Sequence, residues 1–426
     1  MTTDVDALPH SSAIVEGRTI ITAETVERPV DKRPLHDTID AIAEWLIDDA
    51  RRIGSAAGAI DEYAWRLYAA GIPVLRVSVH AGTLHPQYLG AAFVWWRDTA
   101  RTVRVMIKHE IADLIPYDVN PVRRVREGGE TLRRKLDTPD AQFDFLVLED
   151  LKARGATEYY AFPIGGAYGP STYMVTYVSD RPGGFSDGEI ADLRRLSERL
   201  SVVADMHSQK HIAENVLIAY LGRQTGPRVL AGHIRRGSGE AIDAVLWSSD
   251  LRSFTQLSDH APGEQVIGIL NRVFEAQAVA IASHGGEILK FIGDGLLAIF
   301  PVASPDDAAK AAANAVAAAT EALAAVHALD HEIDGQAPLK MVIALHYGTA
   351  IYGNIGAPDR LDFTVIGPAV NLVSRVEAVA KSLNLPLVVS DDFARVHGGK
   401  LQSLGQHKLR GLDQPHELFA PHEAGN

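Results

Sequence analysis

The sequence predicts an α+β protein of two domains joined by a helical linker. Three observations carry that expectation. Helices, then several strands, then a closing helix fill the first half, and a second series of strands and helices starts at Ala241. A chain of 426 residues suits roughly two to three domains, and a hydrophobic fraction of 46% supplies their cores. Between the halves, "GRQTGPRVLAG" (222–232) places glycines and a proline where a straight helix would be interrupted.

Residues 1–34 are polar and lack lasting periodicity, the pattern of a disordered tail. "IDAIAEWLIDDARRI" (39–53) and "IDEYAWRLYAAG" (60–71) carry apolar residues at helical spacing, the second ending on a glycine stop. Strand patterns follow in "PVLRVSVH", "GAAFVWW", "TVRVMI", "YYAFPI" and "STYMVTYVSD". "FSDGEIADLRRLSERLSVVADMH" (185–207) reads as a long helix capped by Ser186 or Asp187. These elements give a first domain over 35–204. A helical linker over 205–238 carries Ile212, Val216, Leu217, Tyr220 and Leu221 on one side. That stripe suits either a parallel helix pair in a dimer or packing on its own domain.

The second domain, 239–423, opens with the strand "AVLWSSDL" and the helix "GEQVIGILNRVFEAQAVAIASHG". The hairpin strands "EILKF" and "LLAIF" and an Ala-rich helix come next. Then follow "KMVIALHYG", "TVIG", the helix "AVNLVSRVEAVAKSL", and the strands "LPLVVS" and "HELFA".

Composition narrows the function. The formal net charge of -13 argues against nucleic-acid binding, which needs a basic footprint. The chain has no cysteine, which removes disulfides and thiolate chemistry and fits a cytoplasmic protein. No basic n-region followed by an apolar stretch marks a secretory signal. The Ala-rich run from Ala308 to Ala325 is broken by Lys310, Asn314, Thr320 and Glu321, so the expectation is no membrane span.

The chemistry gathers in the second half. Asp250 ends a strand and Asp294 sits on a hairpin tip. Two carboxylates facing one crevice suit a hard divalent cation, although each residue is also an ordinary turn former. "LRSFT" (251–255) leads into helical sequence, where backbone N–H groups either hold phosphates or simply start a capped helix. Lys290 alternates away from Leu289 and Phe291, free to snorkel to solvent or to donate to a ligand. Asn371 and Arg375 are four apart on one helix face, the pattern of an ordinary solvated face and also a pair suited to ribose or phosphate oxygens.

Five stretches occur in one order: "DLRSFT", "GGEILKFIGDGLLAIF", "ALHYGTAIYGNIG", "DFTVIGPAVNLVSRVE" and "KLRG". Together, over about residues 241 to 420, they resemble the catalytic domain of class III nucleotidyl cyclases, the adenylate and guanylate cyclases. The resemblance implies a ferredoxin-like domain working as a homodimer, with each site built from both chains. It implies that Asp250 and Asp294, helped by the Leu251 carbonyl, hold two Mg²⁺ or Mn²⁺ ions per active site. The backbone at Phe254 and Thr255 would hold phosphates. From the partner chain, Lys290 and Thr364 would read the base, Asn371 would orient the ribose and Arg375 would stabilise the transition state. Arg410 matches a basic phosphate contact that is usually lysine, with Lys408 as a substitute. Many adenylate cyclases of this family carry Asp at the position of Thr364. A subclass pairs Lys with Thr, and guanylate cyclases usually carry Glu and Cys. The resemblance therefore implies ATP as substrate and cyclic AMP as product. The alternatives are a guanylate cyclase or a catalytically silent nucleotide-binding module.

The first domain resembles ligand-sensing folds of the GAF/PAS kind, most of all in "TEYYAFPIGG" and the stretch from 171 to 200. That implies a sensor for an unidentified small-molecule or protein signal. Trp95, Trp96, Arg76, His80 and His85 either line its pocket or belong to its core.

Overall fold

A computed structural model describes residues 20–109, 117–165, 173–223, 225–252, 254, 258–259, 262–329, 339–357 and 360–421. The chain divides into two units, Met1–Val216 and Leu217–Asn426.

The first unit holds strands β1 (Ile20–Glu27), β2 (Val74–Gly82), β3 (Tyr88–Trp96), β4 (Arg101–Lys108), β5 (Leu132–Lys135), β6 (Glu158–Ile164) and β7 (Tyr173–Ser179). Its helices are α1 (Ile39–Asp48), α2 (Ala56–Ala69), α3 (Pro121–Gly128), α4 (Leu146–Ala153) and α5 (Asp187–Leu221), whose residues from Leu217 on fall in the second unit. The strands form one antiparallel sheet in the order β1-β4-β3-β2-β7-β6-β5. Strand alternation sends Val77, Val79, Phe93 and Trp95 into a core with α1, α2 and α5. Val94, Trp96 and Val103 go into a second core with α4. Trp95 and Trp96 are thus core residues on opposite faces. Thr38 and Ser55 cap α1 and α2 by accepting from Ala41 N and Gly58 N. Ser186 and Glu189 form a reciprocal capping box at the start of α5.

Two boundaries expected from the sequence are corrected. Residues 20–27 lie inside the expected 1–34 tail, yet they form β1, paired along β4. Arg28 at its end donates to Asp61 Oδ2 at 2.6 Å, and Thr102 donates to Asp61 Oδ1 at 3.0 Å, so a buried carboxylate ties this segment to α2 and β4. The expected 205–238 linker is not one connector. Helix α5 runs to Leu221 and stops at Gly222, whose φ is +88°. Short helix α6 (Thr225–Leu230) then packs within the second unit. There Thr225 Oγ1 pairs with Tyr352 OH at 2.6 Å, and Asn354 Nδ2 donates to His233 O at 2.9 Å.

The second unit contains β8 (Gly239–Arg252), α7 (Gly263–Ser283), β9 (Glu287–Ile292), β10 (Gly295–Val302), α8 (Ala308–Leu329), β11 (Lys340–Ala357) and β12 (Arg360–Ile366). It ends with α9 (Pro368–Leu383), β13 (Leu387–Ser390), α10 (Asp391–His397), β14 (Leu401–His407) and β15 (His416–Pro421). The sheet order is β14-β15-β13-β11-β8-β10-β9, with β12 beside β11. The run β11-β8-β10-β9 has the strand order of a ferredoxin-like βαββαβ unit. Helices α7 and α8 cover one face and α9 the other. By length and composition alone, Gly263–Ser283 and Pro305–Leu329 are sufficient to cross a membrane. In this fold Ile269, Val273 and Ile281 of the first, and Ala312, Ala315, Ala319 and Ala322 of the second, are buried in the sheet core.

Candidate active site

Strand β8 sorts its side chains by alternation. Ser249 turns toward α7, where its hydroxyl donates to Gln277 Oε1 at 2.6 Å. Ser248 and Asp250 share the other face, toward α9. Asp250 Oδ2 meets Lys381 Nζ at 2.6 Å, and Lys381 also reaches Glu377 Oε1 at 3.0 Å, one helical turn back. Glu377 accepts from the Ser248 hydroxyl. Sequence reading missed Ser248, Glu377 and Lys381. The four-residue Glu377–Lys381 spacing was visible, but not that α9 lays it across the end of β8.

Asp294 comes to the same place from the β9–β10 turn. Gly293 takes φ +61°, and Gly295 lies against β8 so closely that a Cβ would stand 1.9 Å from Ser249 O. The two glycines around Asp294 are therefore there for conformation and for contact. Burial raises the Asp294 pKa first, the charge of Asp250 raises it further, and Lys381 opposes both. Two carboxylates close enough to resist sharing their charge, with hard oxygen donors, suit a divalent cation that takes one or two carboxylates plus substrate phosphates. Among the described residues no group of three acidic or histidine side chains forms a fuller cage. Leu251 is buried with its side chain in the core, and it stands opposite Met341 in the β8–β11 ladder.

The remaining expected residues fall into separate groups. Phe254 is half-buried against the α7–α8 core, whereas Thr255 lies outside the described residues. Lys290 stands on β9 opposite Leu297, its Nζ 3.4 Å from Asp362 Oδ2 on β12. Thr364, two residues along β12, is 4% exposed, and its Oγ1 has no hydrogen-bond partner among the described residues. A buried hydroxyl with no partner is uncommon and asks for an explanation. Asn371 is exposed and Arg375 half-buried on α9, and neither side chain has a hydrogen bond or ion pair among the described residues. The "KLRG" segment arrives beside Arg375: a Cβ on Gly411 would stand 3.7 Å from its Nη2. Arg410 and Lys408 are exposed.

The model of the adenylate and guanylate cyclase catalytic domain family matches residues 241–417. An uncharacterized protein of Mycobacterium tuberculosis is 34% identical over 212 residues, 47% of this chain and 36% of its own length. An uncharacterized protein of Mycobacterium bovis is 31% identical over 248 residues, 56% of this chain and 42% of its own. The chain spans well under half the length of these curated relatives. The crystal structure of the adenylyl cyclase CyaB from P. aeruginosa aligns at 23% identity and a TM-score of 0.38, covering 44% of this chain and 100% of that one. A guanylyl cyclase crystal structure aligns at 30% identity and 0.37, covering 42% and 92%. Strand order, carboxylate pair and family match coincide on one stretch, and residues 241–417 are a catalytic domain of the class III adenylate and guanylate cyclases.

Proposed function

We propose that the chain is an adenylate cyclase, converting ATP to 3′,5′-cyclic AMP and pyrophosphate at the interface of a homodimer, under control of its N-terminal unit. Class III cyclases use divalent metals. In this reading Asp250 and Asp294 would hold two Mg²⁺ or Mn²⁺ ions, which when bound acidify the ribose 3′-OH and offset phosphate charge. The 3′-hydroxyl releases its proton to solvent, its oxygen attacks the α-phosphorus, the bond from that phosphorus to the bridging oxygen breaks, and pyrophosphate leaves. Arg375 supplies a guanidinium to the charge that builds on the phosphoryl oxygens, and Asn371 fixes the ribose. Arg410 contacts the leaving phosphates.

The observation that carries the reading is the division of α9. Glu377 and Lys381 bind the β8 end, while Arg375 lies roughly 160° around the helix axis from Glu377. A transition-state arginine on that side points away from the carboxylates of its own chain, which supports a site completed by a second copy. Lys290 and the orphaned Thr364 hydroxyl support adenine. An ammonium donates to the adenine N1 acceptor, and a hydroxyl oxygen accepts from the exocyclic amine. Guanine presents an N1–H donor, which Lys290 would oppose.

The test incubates purified chain with ATP, and separately with GTP, plus Mn²⁺ or Mg²⁺, and identifies products by mass. Cyclic AMP from the wild type, and none from Asp250→Ala, is the expected result. Cyclic GMP alone would move the assignment to guanylate cyclase, and no cyclic product would move it to a silent nucleotide-binding module.

A further inference from the structure

The first unit contains a small cleft, partly open to solvent, between its sheet and helices α2 and α5. Ile60, Phe93 and Met106 give it an apolar wall, and small alanines line much of the rest. Arg104 on β4 and His207 on α5 also line it. Both carry a buried nitrogen without a hydrogen-bond partner among the described residues, Nε of Arg104 and Nε2 of His207, and His207 is 6% exposed. Glu24, opposite on β1, and Glu214 on α5 influence Arg104 through their charge, but neither accepts a hydrogen bond from its Nε. Glu214 is engaged instead by His211 at 3.3 Å.

We propose that this cavity is a binding site for a small organic carboxylate with a short apolar body. Arg104 and His207 supply donors for the two carboxylate oxygens, and the Ile60–Phe93–Met106 wall takes the body. A phosphate or sulfate fits worse, because its further oxygens would be desolvated against apolar side chains. His207 and His211 stand on α5, which continues to Leu221, so an occupant contacts the helix that leaves this unit. The proposal names the ligand class for the sensor reading above and rests on that reading only for its effect on cyclisation. Binding and turnover are therefore measured separately.

The full chain is titrated with butyrate and benzoate, and with the neutral analogues butanol and benzyl alcohol, by calorimetry and by ligand-observed NMR. Saturable carboxylate binding at millimolar or lower concentration, with the alcohols weaker by about tenfold or more, is expected. Arg104→Gln and, as a milder second variant, His207→Asn should each weaken the carboxylate selectively. The proposal is overturned if the wild type binds neither carboxylate saturably, if the alcohols bind equally well, or if both folded variants keep wild-type affinity. A change in cyclic-nucleotide production on saturation supports the sensor reading. Binding with no such change leaves the site standing and removes the regulatory role.

Discussion

Lys381 holds two carboxylates at once, Asp250 and Glu377, at the place where a divalent cation is expected to bind. An ammonium there lowers the cost of crowding acids before the metal arrives, and competes with it afterwards. Lys381→Met should therefore melt earlier in EDTA, by about 2–4 °C for each kcal/mol lost. It should also gain more from added Mn²⁺ than the wild type does. Melting curves with and without Mn²⁺ check this, and an unchanged metal-induced shift would show that Lys381 does not compete. At this scale the placement of Asp250 near a strand end and Asp294 on a turn, close enough for their charges to interact, was legible, because a strand end and a turn leave few places for a side chain to go. The sequence was silent on Lys381, whose role depends on a helix far downstream in the chain crossing β8. It was also silent on the buried, unpartnered state of Thr364, which only the packing of β12 against β11 creates.

The β9–β10 hairpin shows how an element sets a site. Gly293 and Gly295 flank Asp294 but answer to different demands. Among the described residues nothing stands within 4 Å of a Cβ on Gly293, so Gly293→Ala should cost only the left-handed backbone, about 1–2 kcal/mol, with activity retained. Gly295→Ala would drive a methyl into Ser249 O, part Asp294 from Asp250 and abolish turnover. Assays beside chemical denaturation of both variants separate the two effects. A second element prediction concerns pH. His346 on β11 is 3% exposed, paired with Ser390 at 2.8 Å, and burial pushes its pKa down to about 4 against the pull of Asp392 and Asp391. It stays neutral in the fold while an unfolded histidine takes a proton near 6.5. Its contribution is thus complete above about pH 6.5 and is lost as pH falls toward 4, at up to about 1.4 kcal/mol per pH unit. His346→Gln should flatten that slope in urea unfolding across the window, and an unchanged slope would place the acid sensitivity elsewhere. Element types were legible wherever periodicity ran long, as in α5, α8 and the hairpin. Strand β1 was not, because its partner β4 and its anchor Asp61 lie 33 or more residues away.

For the molecule as a whole, the sequence indicated two units but misplaced the seam between them. The stripe 212–221 reads as one helix face, yet the second unit begins at Leu217, and residues 225–238 pack on β8 and β11 through Tyr352, Asn354 and Glu240. Periodicity identifies a helix without saying what it packs against. The same limit applies to the proposed dimer: in that reading one chain would supply both halves of the site, and the opposed faces of α9 are what supports two shared sites. The most direct measurement mixes two inactive chains, Asp250→Ala and Arg375→Ala, in equal amounts with ATP and Mn²⁺. Random pairing puts half of the dimers in mixed form, and each mixed dimer has one intact site. Shared sites therefore predict recovery of up to about a quarter of wild-type cyclic AMP production. A mixture as inactive as its parts, with the wild type active and subunit exchange verified, would mean that each chain completes its own site, contradicting the account.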